Sequence, residues 1–308
     1  MRSHLVLEVA SELVDGGDWP YRQARIGLRE QGADNWAVVL FGSDTPAGID
    51  EVARGQAQVA IINPAAPLTL ALRGKGPFAT AIPVRAITVI PSFDQLAFAV
   101  SEQTGLTSLA DIRDRRFPLK VSLRGQMDHS VHMVVKEVLA AAGFSLDDII
   151  SWGGQVRYDE GLPKVPARLG AVERGEIDAI FDEAVQNWLN LALDLKMRVL
   201  PLEESLLERL EQTGFRRGVI LKARFPKLQH DVATLDFSGF PVFTHADVSD
   251  SIINSVCAAL EARKNTILWE GEGSLPLERM CRDAPEGPLD IPLHPAAEKF
   301  WRERGYLS

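Results

Sequence analysis

The chain is poor in cysteine, in tyrosine and in positive charge. Among its 308 residues are two cysteines and three tyrosines, and 42 acidic side chains outnumber 33 basic ones. Cys257 and Cys281 fall in no CxxC or Cys/His spacing, so no zinc site is expected. Whether the two pair stays open, two free thiols being the simpler reading. A net charge of −9 excludes a general nucleic-acid surface, which needs a basic stripe. It leaves room for an anionic small molecule, which needs only local positive potential. No apolar run approaches the ~18–20 residues of a membrane span, so no membrane insertion is expected. Walker-type loops, a GxSxG elbow and an HExxH helix are missing too. The N-terminus, MRSHLVLEVASEL, does not read as a signal peptide, because Glu8 and Glu12 interrupt its apolar run. The expectation is therefore a cytoplasmic chain, or a periplasmic one if a leader was removed or the start is misassigned.

What is present is an ordinary globular composition, 46% hydrophobic and 24% charged, long enough for two domains. The most informative stretch runs from Phe117 to Gly143. Phe117, Leu119, Val121 and Leu123 alternate with polar residues at strand period. Val131, Val134, Val135, Val138, Leu139 and Ala142 then mark one face of a helix, and Gly143 suits the left-handed position past its end. The loop between them, Arg124 to Ser130, points backbone N–H groups and a positive helix end above the sheet, which suits an anion.

Elsewhere the chain reads as alternating strands and helices. His4–Ala10 is expected to be a first strand, and Asp18 with Pro20 to open a helix ending near Gly32. Trp36–Phe41 has the continuous apolar run of a strand buried on both faces. Thr45-Pro46 starts a helix that ends at Arg54-Gly55, and Gln58–Ile62 is the next strand. This order argues a doubly wound sheet. An internal echo extends the plan. Glu51–Asn63 (EVARGQAQVAIIN) matches Ala171–Glu183 (AVERGEIDAIFDE) at an offset of 171 − 51 = 120 residues. The simplest account is two α/β lobes facing each other across a cleft, with Asn63 and Glu183 at equivalent strand ends. The expected division is 1–92 plus 203–308 for lobe one and 93–202 for lobe two, with the crossovers as a hinge.

The C-terminal residues Ile291-Pro292-Leu293-His294-Pro295-Ala296-Ala297, followed by Phe300-Trp301 and Arg304-Gly305, resemble the tail signature of the TAXI family, the solute-binding receptors of TRAP transporters. Ala296 stands where that family usually has glycine. Thr107–Ile112, Gly175–Phe181 and Lys196–Leu202 are similar to its lobe-two segments. The resemblance implies an α/β, two-lobe type II periplasmic-binding-protein-like fold with no catalysis and no cofactor. It also implies a small carboxylate or amino-acid-like ligand and a TRAP-type membrane permease as partner. Two loops depart from the family: Ser11–Trp19 is more acidic, and around His129-Ser130 only a serine is kept.

The candidate ligand-binding residues are Ser11, Trp19, Ser43, Thr45, Asn63, Arg124, Gln126, His129, Ser130 and Glu183. Arg124 offers a planar fork for a carboxylate, or is a surface arginine. Gln126 and Ser130 could donate to a ligand, though Asp128 or Ser130 serves equally as a helix cap. His129 and His132 lack metal-pair spacing, so a neutral hydrogen-bonding or structural role is expected. Ser43 and Thr45 suit turn duty and Trp19 core packing as readily as contact with ligand. Glu183 would repel a carboxylate but suit an ammonium. His294 is read as pinning the tail. The main reading is thus a solute-binding protein. The alternative is an enzyme on the same fold, a decarboxylase or lyase of a small cyclic or aromatic acid with Arg124 holding it, or an intracellular sensor.

Overall fold

A computed structural model describes residues 1–16, 22–29, 32, 34, 37–43 and 45–308. The chain opens with helix α1 (Arg2–Gly16), where a strand was expected, and continues with strand β1 (Gln23–Leu28), where a helix was expected. The reason is local: short apolar runs such as Leu5-Val6-Leu7 satisfy either period, and α1 has no buried residue whose packing would reveal which period holds. Then come β2 (Val38–Ser43), α2 (Ala47–Ala53), β3 (Val59–Ile61), α3 (Ala66–Arg73) and β4 (Val84–Ile90). Val39 and Phe41 of β2 are buried while their neighbours are half-buried, so one face of this strand is fully covered and the other, where Leu40 packs against a second core, only partly.

The second lobe follows: β5 (Ala97–Ser101), α4 (Leu109–Asp114), β6 (Lys120–Arg124), α5 (Ser130–Ala142), α6 (Leu146–Ser151), β7 (Gln155–Asp159), α7 (Leu169–Glu173), β8 (Ala179–Asp182), α8 (Leu189–Asp194) and β9 (Met197–Val199). Next are α9 (Glu204–Thr213), β10 (Arg217–Ile220) and β11 (Val232–Leu235). The chain then returns through β12 (Phe240–His245), α10 (Asp250–Arg263), α11 (Leu277–Met280) and α12 (Pro295–Glu303).

Among the described residues the strands form two five-stranded sheets, ordered β1-β2-β3-β12-β4 and β7-β6-β8-β5-β9, and a small β10-β11 hairpin. In each large sheet the fourth strand runs antiparallel to both neighbours. That strand is the first one the chain makes after crossing from the other lobe. Both sheets are covered on both faces. Phe98, Val121 and Phe181 face Val131, Val135 and Leu139 of α5, while Ala99 and Ile180 face Leu169, Trp188 and Leu189. In lobe one, Phe41, Ala60 and Phe243 face Ile49 and Leu68, and Ile87 and Val242 face Ile253, Phe300 and Trp301. This is the two-lobe, doubly wound α/β architecture that the sequence implies.

The echo holds. Arg54-Gly55 ends α2 and Arg174-Gly175 ends α7, each glycine in the left-handed region (φ 68° and 70°), and each helix leads into a parallel strand, β3 or β8. One boundary moves. Leu206, Leu207 and Leu210 of α9 and Ile220 and Val232 of the hairpin pack in the lobe-two core. The chain therefore leaves lobe two after β11, not at residue 203. The two crossovers lie side by side, with Gln95 bridged antiparallel to Asp236. The tail motif is structural: His294 Nδ1 accepts from Ala296 N at 3.2 Å, capping α12, and Trp301 Nε1 donates to Ile87 O at 2.9 Å.

Candidate functional site

A cleft of about 900 Å³ lies between the lobes. Lobe one contributes an apolar face of α1 (Val6, Leu7, Ala10, Leu13, Val14), β1, and the strand ends at Ser43 and Asn63. Lobe two contributes His129, Glu183 and the turn after β8, and the crossovers contribute Ser92 and Asp94. The α1 face follows i, i+1, i+4, i+7, i+8, one side of a helix.

The lobe-two wall is built by strand register. Val121 and Ser122 of β6 lie opposite Ala179 and Ile180 of β8, so Arg124 at the end of β6 arrives beside Asp182 at the end of β8. Arg124 grips Asp182 through Nη2 to Oδ1 at 2.8 Å and Nε to Oδ2 at 3.3 Å, and also pairs with Glu183. Arg168, fully buried, pairs with the other side of Asp182 and donates through Nε to Ser122 Oγ at 3.0 Å. Burial opposes the Asp182 charge, but the two guanidiniums outweigh it and hold its carboxyl below the ordinary value. Arg124 is accordingly not a free carboxylate clamp. Its fork is occupied by protein carboxylates, and it does not line the cleft.

Asp94 approaches from the first crossover. Its Oδ1 accepts from Gln95 N at 2.7 Å and Val185 N at 3.1 Å, and its Oδ2 from Ala184 N at 2.8 Å. These bonds hold Ala184 at φ 56°, a left-handed conformation uncommon outside glycine. Burial, with the neighbouring Glu183 charge, pushes Asp94 well above its ordinary value. Burial raises Glu183 as well, against the pull of Arg124.

The remaining expected residues divide. Ser43, Asn63, His129 and Glu183 line the cleft. Ser43 and Thr45 close a turn on each other, Oγ to Oγ1 at 3.0 Å. Asn63 Nδ2 donates to Phe237 O at 2.8 Å and Gly239 O at 2.9 Å, so it ties β3 to the second crossover. His129 caps α5, its Nδ1 accepting from Val131 N at 3.2 Å. Burial and the Arg124 charge push its imidazole down to about 3, so it is neutral. The Gln126 carbonyl serves His129 N and His132 Nε2 at 3.1 and 2.9 Å. Ser130 is fully buried, and its hydroxyl has no partner among the described residues. Ser11 is exposed on α1, outside the lining, and Trp19 lies outside the described residues. Asp94, Asp182 and Arg168 were not anticipated. Only the adjacency of Asp182 to Glu183 hinted at them. Among the described residues no group of three His, Cys, Asp or Glu gathers to hold a metal ion.

A family model described as the NMT1-like family matches residues 45–305. Comparison with curated proteins gives no match. Among solved structures, the chain is similar to the alkanesulfonate-binding protein SsuA from Xanthomonas axonopodis pv. citri bound to MOPS, with 16% identity and a TM-score of 0.32 over 71% of this chain and 61% of that one. The chain thus spans less than two thirds of that protein's length. It is also similar to the L-cystine solute receptor of Neisseria gonorrhoeae in its unliganded open conformation, at 12% identity and TM-score 0.29 over 70% of this chain and 65% of that one. A third is the glycine betaine/L-proline-binding protein ProX from Borrelia burgdorferi, at 7% identity and TM-score 0.39 over 69% and 66%.

Proposed function

The chain belongs to the NMT1-like family, and from that premise we propose that it is a solute-binding protein whose lobes close on one small, amine-bearing organic molecule of amino-acid-like size. A cleft of about 900 Å³ is within the usual range for small-molecule sites. The paired crossovers at Gln95 and Asp236 supply a hinge of few residues. The observation that carries the ligand class is the placement of charge. Asp94 and Glu183 line the cleft, while Arg124 does not and is already paired with Asp182 and Glu183. An ammonium would supply positive charge beside two acids whose charged forms burial disfavours. Arg22 on the lobe-one rim would meet an acidic end of the same molecule, Arg25 beside it being paired with Glu51 and the Gln56 carbonyl, and α1 offers its apolar side chains to the body. A carboxylate without an amine loses its support, because its supposed clamp is occupied. A TRAP-type permease is the partner proposed with this reading, on the resemblance of residues 291–307 alone.

The test is a thermal-stabilisation screen of primary amines and amino acids against matched carboxylates and sulfonates that lack the amine. An amine at 100 times its dissociation constant adds about 2.7 kcal/mol of stability. Glu183→Gln should remove that gain. Equal stabilisation by the amine-free acids, or an unaffected Glu183→Gln protein, defeats the amine assignment. Conversion of a stabilising compound, followed by product analysis, would point to catalysis instead.

A further inference from the structure

Behind the crossovers, opposite the ligand cleft, is a second groove of about 480 Å³. Successive residues of an extended chain point to opposite sides. Accordingly Asp94 lines the cleft, while Phe93 and Gln95 line the groove with Asp236 of the second crossover. The two openings thus flank one hinge, and a rotation that narrows the cleft widens the groove.

Ion pairs span that groove. On the lobe-two side, Arg216 and Arg224 flank the β10 strand, whose Ile220 is buried in the lobe-two core with Phe225. On the lobe-one side, Asp283, Glu286 and Asp290 lie between Cys281 and Ile291, both buried in the lobe-one cores. Arg216 forks onto Asp283 at 2.6 and 3.0 Å and reaches Asp290 at 2.8 Å. Arg224 reaches Glu286 at 2.6 Å and stacks over the Phe93 ring with its Cζ 3.9 Å from the centroid. Nearby, Ala66 and Leu70 of α3 join the lobe-two core with Leu210 and Phe215. The reverse face is therefore a formed interface between lobes.

We propose that the Arg216–Asp283/Asp290 and Arg224–Glu286 pairs form a latch that holds the cleft open and sets the free energy the bound molecule must supply to close it. Closure separates these charges, so each pair biases the ligand-free protein toward the open state. The groove is half-exposed, so each pair is worth a modest shift in population, and salt weakens it. This latch rests on the two-lobe binding reading, as a regulation of that same site.

The experiment needs no ligand. Cysteines introduced at exposed Arg54 in lobe one and Asn190 in lobe two carry spin labels, and electron–electron dipolar spectroscopy reads the interlobe distance. Cys257 and Cys281 are buried, and the protein without the added cysteines controls for their labelling. Arg224→Gln, and separately Asp283→Asn with Asp290→Asn, should raise the closed-to-open ratio about two- to fivefold per pair removed. Molar sodium chloride should do the same to the unaltered chain. Arg174→Gln removes an exposed pair with Glu176 inside lobe two and should change nothing. Unchanged distances in both latch variants, with melting temperatures intact, overturn the latch, as does an equal shift in Arg174→Gln. If amines fail to bind, the distance shift still stands; if the shift fails, amine stabilisation still stands.

Discussion

Arg124 and Asp182, 58 residues apart in sequence, meet side-on at the ends of two parallel strands, with 2.8 Å between Nη2 and Oδ1. Asp182 is fully buried and also pairs with Arg168. The pair holds the lobe-two wall together, and it keeps a cation out of reach of the cleft.

Arg124→Met should therefore act first on stability. Removing one partner of a buried pair strands the other charge, and the loss expected is about 3 kcal/mol, the low end of such effects because Arg168 still serves Asp182. Urea unfolding measures it. A change below about 1 kcal/mol, joined to loss of ligand stabilisation, would return Arg124 to the role of ligand clamp.

His129 should stay neutral through the physiological range. Its folded-state value is depressed to about 3 from 6.5, so its contribution to stability is complete above about pH 6.5 and drains away as pH falls toward 3. Its imidazole resonances should not titrate between pH 5 and 8. As the cap of α5 it tolerates Asn, whereas His129→Ala should remove about 1 kcal/mol. A titration midpoint near 6.5 would contradict the burial of this ring.

Ala184→Gly should stabilise the chain by several tenths of a kcal/mol, up to about 1, because the left-handed conformation at φ 56° strains alanine and not glycine. Thermal melting reports it. Destabilisation would mean that the bonds from Asp94 to Ala184 and Val185 impose little strain.

Asp236 shapes the acid side of the stability curve. Burial pushes its carboxyl up to about 6 from 3.8, against hydrogen bonds from Ser238 and Gln95. A raised acid favours its protonated form in the folded state. Its contribution is present below pH 3.8 and is lost as pH rises through about 6. Between pH 4 and 7 the native chain should lose about 2–3 kcal/mol relative to Asp236→Asn. Parallel stability–pH curves for the two proteins would refute this.

Much of the fold was legible where local rules agree. The period from Val131 to Ala142 and Gly143 at φ 87° define α5 as read. Ser108 caps α4 through Asp111 N at 3.0 Å. The Val-x-Arg-Gly echo locates equivalent strands in both lobes. Local rules failed where pairing is remote. Strand β12 was not singled out, because Pro241 argues against a central strand and its partners β3 and β4 lie some 150 to 180 residues away. Strand β7 (QVRYD) is half-exposed, with Val156 its one aliphatic side chain, so its period is faint.

For the site, sequence alone determined which residues stand at strand ends and helix starts: Ser43, Asn63, His129 and Glu183 all reach the cleft because periodicity and turn chemistry put them there. It could not determine the charge offered to a ligand. Arg124, read in isolation, is a fork waiting for a carboxylate. The register of β6 against β8 puts Asp182 and Glu183 in that fork, and the crossover carries Asp94 to meet Glu183. Charge at a site is a sum over neighbours within a few ångströms, and only the tertiary structure decides which neighbours those are.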